Sequence, residues 1–331
     1  MLGFAIRRMG VLTLLVTANP AAPHLKSLAQ LPGETRIMVS DDLDRLREAA
    51  RDADVILNAE FRDPTLLLAT FPYAARVRWV HSLSAGVELL LSPEILASPV
   101  PLTNGRGVYR RPLGEWAVAV MLHFAYDLRR MIRQQEAHCW EPFETDELYG
   151  RTLGIVGYGG IGSAAAERAR PFGMRILAVR RKPELSAGDP LLDATYPPER
   201  ITDMVAASDY VLVAAPLTSE TRGMVGEEQI AAMKPAAVII NVGRGPVVDE
   251  AALIRALESR KIRGAAMDVF DTEPLPAGHP FYRLPNVLMS PHTVDHGPGW
   301  RERALSCFLE NFARFTKGEP LLNIVDKHAG Y

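Results

Sequence analysis

A glycine-rich turn at residues 157–162 constrains the fold of this chain more than any other feature. It reads G-Y-G-G-I-G and lies between the apolar run Thr152–Val156 and the alanine-rich segment Ser163–Arg170. A strand, a glycine turn and a helix start, in this order, form the fingerprint of a dinucleotide-binding βαβ unit. The phosphates then bind at the positive N-terminus of the helix. The predicted cofactor-binding residues are Gly157, Tyr158, Gly159, Gly160, Ile161 and Gly162.

The end of the next predicted strand indicates which dinucleotide binds. This strand, Met174–Val179, is followed by Arg180, Arg181 and Lys182. NAD-specific enzymes usually place an acid here to accept a hydrogen bond from the ribose 2′-hydroxyl, whereas arginine suits the 2′-phosphate of NADP. We therefore predict that Arg180 and Arg181 bind NADP as the preferred cofactor, with NAD as the second candidate. A solvated basic turn before Pro183 is the alternative.

Length and composition limit the class of protein. The chain has 331 residues, of which 48% are apolar and 23% charged, and about 150 residues precede the fingerprint, so we expect two globular domains. Its 37 basic residues nearly balance its 39 acidic ones, which predicts no nucleic-acid or membrane partner. Cys139 and Cys307 lack metal-ligand spacing, which predicts a reduced, cytoplasmic protein without a bound metal.

Strand-like and helix-like segments alternate on both sides of the fingerprint. Alternation of this kind predicts an α/β fold with parallel sheets covered by helices. Beyond the fingerprint unit, the predicted strands are Val11–Thr17, Arg36–Val39, Val55–Ala59, Val77–His81, Tyr210–Ala214, Ala237–Val242, Gly264–Val269 and Val287–Met289. The predicted helices are Asp41–Arg51, Pro112–Gln135, Asp249–Arg260 and Gly299–Lys317.

The N-terminus has two interpretations. Arg7–Arg8 followed by the apolar run Val11–Ala18 resembles a short export signal, but the same run before Asn19–Pro20 also indicates a buried first strand that ends in a turn. We favour the strand, because its removal would delete the first element of the βα series. The first eight residues look extraneous, which makes Met9 a candidate start.

Three ionisable residues follow predicted strands after the fingerprint. Arg244 lies in N-V-G-R-G, Glu273 in D-V-F-D-T-E-P and His292 in S-P-H. Each alone has a structural explanation, such as a solvated arginine or a core histidine. In an open parallel sheet, however, ligands bind at the carboxyl ends of the strands. The three together therefore predict an active site beside the nucleotide.

Several motifs, in order, resemble the D-isomer-specific 2-hydroxyacid dehydrogenase family, which includes phosphoglycerate dehydrogenases and glyoxylate or hydroxypyruvate reductases. They are the fingerprint, the runs from Asn241 and Asp268, and S-P-H at Ser290–His292. The likeness continues in L-S-A-G-V-E at Leu83–Glu88 and in Gly318–Asp326. The resemblance implies two doubly wound parallel-sheet domains. A Rossmann nucleotide-binding domain, residues 105–296, would be inserted into a flavodoxin-like substrate domain, residues 1–104 and 297–331.

The resemblance also implies the reaction and the roles of the residues. A small 2-oxo acid would be reduced to the D-2-hydroxy acid by hydride transfer to C2, or the reverse. Arg244 would bind the substrate carboxylate, His292 would supply the proton, and Glu273 would orient the imidazole and favour its charged form. Backbone N–H groups of Ser84, Ala85 and Gly86 would complete the carboxylate site. Ala215, Pro216, Val242 and Gly243 would line the cofactor channel, with Asp268 near the nicotinamide amide.

Several points stay open at the level of sequence. As in relatives, the helix at Pro112–Gln135 would contribute to a homodimer contact. Asp295 and His296 stand where relatives have small residues, which leaves the pocket shape undecided. The motif H-T-V-D-H at His292–His296 superficially suggests two zinc ligands, but the surrounding prolines and glycines indicate a loop, and Asp replaces the expected Glu. A regulatory protein of the co-repressor type, with this fold but no turnover, is the alternative function.

The side chain of the substrate is not predicted. Trp79, Tyr109 and Trp140 either shape an apolar pocket or pack in the core or at an interface. No cluster of lysine or arginine beside Leu83–Gly86 indicates a phosphorylated substrate.

Overall fold

The computed structural model describes residues 11–331, which divide into two compact units. One unit combines the described part of residues 1–108 with Pro298–Tyr331, and the other is Tyr109–Gly297. The assignment of these units to substrate and nucleotide stays a prediction. The expectations about an extraneous leader and a start at Met9 lie outside the described residues.

Within residues 11–331, strands and helices alternate along the chain. The strands are β1 (Thr13–Thr17), β2 (Arg36–Ser40), β3 (Val55–Asn58), β4 (Trp79–Ser82), β5 (Leu102–Asn104), β6 (Thr152–Val156), β7 (Arg175–Val179), β8 (Ala194–Tyr196), β9 (Tyr210–Val213), β10 (Val238–Asn241), β11 (Gly264–Met267) and β12 (Val287–Met289). The helices are α1 (Leu43–Ala50), α2 (Thr65–Thr70), α3 (Pro93–Ala97), α4 (Arg110–Ala125), α5 (Leu128–Glu136), α6 (Gly160–Ala169), α7 (Ile201–Ala207), α8 (Glu227–Ala232), α9 (Glu250–Glu258) and α10 (Trp300–Lys317).

The first unit contains a parallel sheet of five strands in the order β2-β1-β3-β4-β5. This is the strand order of flavodoxin-like folds. Every residue of β3 and β4 is buried, as expected for central strands of a parallel sheet with helices on both faces. The last helix, α10, belongs to this unit, where Phe308 stacks on Trp79 with ring centroids 5.3 Å apart.

The second unit contains a parallel sheet of seven strands in the order β12-β11-β10-β9-β6-β7-β8. The direction of winding reverses between β6 and β9, which is the topological switch point of a Rossmann fold. Gly114 of α4 packs closely on α6, since a Cβ at this position would lie 2.8 Å from the Ala164 carbonyl carbon. The two parallel sheets, and the insertion of the second unit into the chain of the first, confirm the predicted fold class.

One predicted helix is wrong. The pattern from Pro112 to Gln135 predicted a single helix, but the chain forms α4 and α5 with a break at Tyr126–Asp127. Asp127 adopts a left-handed conformation, with φ 45°, and its side chain accepts a hydrogen bond from the Arg130 N–H. Asp127 is thus the N-cap of a new helix, a role for which its short carboxylate is well suited. In the described part of the chain no helix is long and apolar enough to cross a membrane.

Candidate active site

The glycine turn lies at the switch point of the second unit. Gly157 follows β6 with φ 93°, a conformation that side chains rarely adopt, and a Cβ there would lie 2.7 Å from the backbone of Ala215. Glycine therefore allows the loop after β6 to touch the loop after β9. A Cβ on Gly162 would lie 2.9 Å from Ile155 Cγ2, so that glycine allows α6 to pack on β6. The space beside Gly159 is open, with no atom within 4 Å of a Cβ.

Two other predicted cofactor residues are held by neighbours in the same unit. The Tyr158 hydroxyl donates to Asp189 Oδ2 at 3.0 Å, and burial, together with that carboxylate, raises the pKa of Tyr158. Arg180 follows β7 directly and donates from Nη1 to Ser186 Oγ at 2.7 Å. Arg181 is the next residue and is exposed. The end of β7 therefore presents cations and no carboxylate in the first two positions after the strand.

The turn that carries Arg244 is braced by Asn241, the last residue of β10. The Asn241 side chain is fully buried, accepts from the Gly243 N–H at 3.1 Å and donates to the Arg244 carbonyl at 3.1 Å. Arg244 Nη1 donates to the Gly243 carbonyl at 2.8 Å. A Cβ on Gly243 would lie 2.7 Å from the Ala215 carbonyl oxygen, so this turn adjoins the loop after β9.

Gly245 joins the Arg244 turn to the loop that carries Glu273. A Cβ at this position would lie only 2.0 Å from the carbonyl carbon of Phe270, so the two backbones are in direct contact. Phe270 N–H donates to Glu273 Oε1 at 3.0 Å. The position of the Arg244 turn is thereby coupled to the position of the Glu273 carboxylate.

Glu273 and His292 form a close pair. Glu273 Oε2 lies 2.7 Å from His292 Nδ1, and the two side chains are 32% and 21% exposed. His292 has φ 53°, so the turn after β12 holds it in the left-handed region. Because both oxygens of Glu273 have partners on this edge of the sheet, the carboxylate fixes the orientation of the imidazole.

Asp268 links the loops after β11 and β12. It is buried, and its Oδ1 accepts from the Ser290 hydroxyl and, at 3.0 Å, from the Thr293 N–H. Burial raises the pKa of the Asp268 carboxyl, against the opposing effects of the Ser290 hydrogen bond and the His292 ring. These contacts brace the turn that carries His292, and the role of Asp268 toward the nicotinamide stays a prediction.

The loop Ser84–Gly86 belongs to the first unit, where it follows β4. The Ser84 hydroxyl donates to the Phe61 carbonyl, and Asn104 Nδ2 donates to the Ala85 carbonyl at 2.6 Å. Within residues 11–331, the N–H groups of Ala85 and Gly86 donate to no carbonyl or side chain. These two donors suit a carboxylate ligand.

The structure also bears on the candidates for other chemistry. Nowhere in residues 11–331 do three histidine, cysteine, aspartate or glutamate side chains converge as a metal site would require. Residues 292–296 lie outside helices, and His296 Nε2 lies 3.5 Å from Asp295 Oδ1. Trp79 is a core residue that donates to Thr103 Oγ1 at 2.8 Å, Tyr109 is buried, and Trp140 is 97% exposed.

Sequence patterns alone did not single out Asn241, Gly245 or Ser290. Asn241 and Gly245 flank a turn in which the predicted site residues were Val242, Gly243 and Arg244, and Ser290 was noted only as part of S-P-H. An asparagine at the end of an apolar strand, with a glycine two residues later, is a signal that could have indicated a turn held by the asparagine side chain.

Comparison with known proteins agrees with this geometry. The sequence model for the NAD-binding domain of D-isomer specific 2-hydroxyacid dehydrogenases matches residues 118–294. A glyoxylate reductase of Korarchaeum cryptofilum is 34% identical over 289 residues, which cover 85% of this chain and 85% of that protein. Among solved structures, an NADPH-dependent glyoxylate/hydroxypyruvate reductase of Sinorhizobium meliloti with NADP and sulfate has a TM-score of 0.83 and 25% identity, and the match covers 97% of this chain and 100% of that one. A D-isomer specific 2-hydroxyacid dehydrogenase of Xanthobacter autotrophicus with NADPH and MES has a TM-score of 0.81 and 29% identity, with 98% and 100% covered.

Proposed function

The chain belongs to the D-isomer-specific 2-hydroxyacid dehydrogenase family, and on that premise we propose that Arg244, Glu273 and His292 form its active site. The protein is an NAD(P)-dependent oxidoreductase that reduces a small 2-oxo acid to the 2-hydroxy acid. The observation that carries the residue assignment is the His292–Glu273 pair, with 2.7 Å between Nδ1 and Oε2, at the carboxyl edge of a Rossmann sheet. The alternative of a regulatory protein without turnover has no support, because the curated relatives are named as reductases.

The residues at the switch point fit a dinucleotide. The turn at Gly157 brings two loops together, the space beside Gly159 is open, and α6 begins at Gly160. A pyrophosphate fits against such a helix N-terminus. NADP is the preferred cofactor and NAD the second candidate; we assign Arg180, which Ser186 holds, and Arg181 to the 2′-phosphate.

His292 supplies the proton in the proposed mechanism. Glu273 holds Nδ1, so proton exchange with the substrate falls to Nε2. During reduction the Nε2–H protonates the 2-oxo oxygen as charge develops there, and during oxidation Nε2 accepts the hydroxyl proton. When bound, the cofactor supplies the hydride that adds to C2. A positioned acid of this kind contributes about a hundredfold to ten-thousandfold in rate.

Arg244 binds the substrate carboxylate in this proposal. Arg244 offers a planar fork of N–H donors that matches a carboxylate in geometry. Ser84, Ala85 and Gly86 stay candidates for substrate binding within the first unit, where the N–H groups of Ala85 and Gly86 are available as donors. Binding the carboxylate places the adjacent 2-oxo group, which Arg244 also polarises.

Turnover with a panel of 2-oxo acids tests the proposed function. NADPH oxidation is followed at fixed enzyme concentration with glyoxylate, hydroxypyruvate and longer 2-oxo acids. We expect turnover with at least one of them and formation of the D-2-hydroxy acid, identified by chiral chromatography. Absence of turnover with every acid would contradict the proposal and favour a binding role.

Cofactor preference has its own test at Arg180. We expect the wild-type enzyme to have the higher kcat/KM with NADPH than with NADH. Arg180→Gln should lower kcat/KM for NADPH at least about tenfold, because one charge-assisted hydrogen bond contributes roughly this much. The kcat/KM for NADH should stay nearly unchanged. A wild-type preference for NADH would defeat this assignment.

The proposal also includes the oligomeric state of the protein and its cellular compartment. We assign to the protein a homodimer that uses α5 and residues 137–149, because this region of the second unit exposes Met131, Ile132, Trp140 and Tyr149. A cytoplasmic location fits both the cytoplasmic supply of NADPH and the two cysteines, Cys139 and Cys307, neither of which forms a disulfide.

A further inference from the structure

The first turn of α4 lies beside the start of α6 in the second unit. A Cβ on Gly160, the first residue of α6, would lie 3.8 Å from Arg110 Cβ and 3.9 Å from Arg110 Cδ. Arg110 is the first residue of α4. One turn further along both helices, a Cβ on Gly114 would lie 2.8 Å from the Ala164 carbonyl carbon. Because the two contacts are four residues apart in each helix, α4 and α6 run parallel with their N-termini side by side.

The side chain of Arg110 packs on the N-terminal end of α6. Its Cδ atom is within 4 Å of the position that a Gly160 side chain would occupy, and the guanidinium is bonded to this Cδ. Gly160 is part of the glycine turn that carries the proposed dinucleotide site. Arg110 therefore brings a positive charge to the end of α6 at which a dinucleotide phosphate would bind.

The charge of Arg110 is not balanced by its neighbours. Within residues 11–331 its guanidinium forms no ion pair and no hydrogen bond, and the residue is exposed. Two arginines nearby differ in this respect, because Arg111 Nε lies 3.0 Å from Glu115 Oε1 and Arg168 Nη2 lies 3.8 Å from the same oxygen. Arg110 thus retains all five N–H donors of its guanidinium for a ligand.

The glycine turn itself supplies no cation. Residues 157–162 read G-Y-G-G-I-G, and the space beside Gly159 is open. A helix N-terminus contributes roughly half a positive charge, whereas the pyrophosphate of a dinucleotide carries about two negative charges. Arg180 and Arg181, which follow β7, are assigned to the 2′-phosphate. Further neutralisation of a pyrophosphate at this turn therefore requires a cation from another element, and Arg110 of α4 is suitably placed.

We propose that Arg110 binds the pyrophosphate of the dinucleotide. This inference rests on the proposed function, which places the pyrophosphate at the N-terminus of α6. A guanidinium suits the role, because its planar fork of donors matches two phosphate oxygens. NAD and NADP share the pyrophosphate, so Arg110 contributes to the binding of both, whereas Arg180 acts on NADP alone.

The contact between Arg110 and α6 lies within one unit of one chain. Arg110 precedes the segment Pro112–Gln135, which the resemblance assigns to a dimer contact, and the proposed dimer uses α5 and residues 137–149. The placement of Arg110 beside the glycine turn therefore requires no second subunit.

Fluorescence titration of the full chain with NADH and with NADPH, in the absence of substrate, tests the proposal. Arg110→Gln should raise both dissociation constants at least about tenfold and by similar factors, because one charge-assisted hydrogen bond contributes roughly this much. Added NaCl should weaken cofactor binding more in the wild type than in this variant, since salt screens the charge that the variant lacks. The thermal unfolding midpoint should stay near that of the wild type, because the guanidinium has no protein partner to lose.

Arg111→Gln is the matched control. Arg111 is the next residue of α4 and is also exposed, but Glu115 balances its charge. This variant should bind NADH and NADPH as the wild type does, and sedimentation velocity should give one oligomeric state for the wild type and both variants.

The outcomes separate this inference from the proposed function. A wild type that binds neither cofactor would contradict the proposed function itself, and the role of Arg110 with it. Where the wild type binds, equal affinities of the wild type and Arg110→Gln would overturn the role of Arg110 alone. A loss confined to NADPH would assign Arg110 to the 2′-phosphate instead, and the same loss in Arg111→Gln would reduce its effect to general surface charge. A changed oligomeric state in Arg110→Gln would assign the residue to the subunit contact.

Discussion

At the scale of single residues, His292 gives the sharpest prediction. His292→Ala should lower kcat at least about a hundredfold, because the proton for the 2-oxo oxygen would have to come from water. The dissociation constant for NADPH, measured by fluorescence titration, should stay nearly unchanged. His279→Ala is the control, since His279 Nε2 also pairs with a glutamate, Glu250, at 3.0 Å, but lies outside the proposed site. Near-normal turnover of the His292 variant would refute the assignment.

Asp268 predicts a pH dependence of stability. Burial raises the pKa of this carboxyl, so the folded chain holds the proton more tightly than the unfolded chain does. Below the unfolded pKa of about 3.9 the carboxyl is protonated in both states, so its ionisation costs no stability there. The free energy of unfolding falls as the pH rises from that value through the pKa of the folded state. Asp268→Asn keeps an oxygen for Ser290 and Thr293 but removes the charge.

The stability of Asp268→Asn relative to the wild type should consequently be greater at about pH 8 than at about pH 4.5. Urea unfolding of the cofactor-free enzyme at the two pH values measures this difference. A difference that is independent of pH, or that changes in the opposite direction, would show that the carboxyl is not destabilised by burial.

At the scale of elements, the contact between the loops after β10 and β11 positions the site. Gly245→Ala would place a methyl group about 2.0 Å from the Phe270 carbonyl carbon, so one of the two backbones must move. We expect a cost in stability of about 1–3 kcal/mol and a fall in kcat/KM of at least about tenfold, because the Arg244 turn and the Glu273 loop separate.

Gly278→Ala is the control for that substitution. A Cβ at Gly278 would meet no atom within 4 Å, and its φ is not in the left-handed region. Steady-state kinetics and thermal unfolding of both variants distinguish a specific loop contact from a general effect of losing glycine. Unchanged kcat/KM in Gly245→Ala would mean that the loops tolerate separation.

Elements with a strong local pattern were predictable from the sequence. The boundaries of β6 and β12 agree with the prediction, because each is an apolar run with clear turn residues at its ends. Strands β5 and β8 were not predicted, because each has only three residues and, unlike the three of β12, these are not all apolar. The break between α4 and α5 was also missed. Asp127 is a preferred N-cap residue, but no glycine or proline stands beside it to mark the end of a helix, and its left-handed backbone is visible only in the structure.

The candidate site shows the same division between local and long-range information. Arg244, Glu273 and His292 were predicted as site residues because each follows a strand, and parallel strands end at one edge of the sheet. The contact of Gly245 with Phe270 joins residues from two different βα units. No spacing within one segment encodes such a contact, so only the folded structure reveals it.

At the scale of the whole molecule, the order of the two units along the chain explains where the fingerprint lies. Both sheets wind from their own first strand, β1 or β6, and each has its own buried core. The first unit obtains α10 from the other end of the chain, where Phe308 and Phe312 pack beside Trp79. The core of this unit therefore combines residues from both sides of the second unit.

The proposed dimer gives the last prediction. Trp140 is 97% exposed and Ile132 is 54% exposed, so this part of the second unit presents large apolar side chains that a subunit contact would cover. Ile132→Glu would place a charge in that contact, and we expect dimerisation at least about tenfold weaker, measured by sedimentation velocity over a range of protein concentration. Tyr282→Glu is the control, because Tyr282 has the same 54% exposure but lies in a different element, the short turn Pro280–Tyr282. A wild-type protein that sediments as a monomer at every concentration would exclude the proposed dimer. Equal dimerisation of the two variants would instead place the contact on another face.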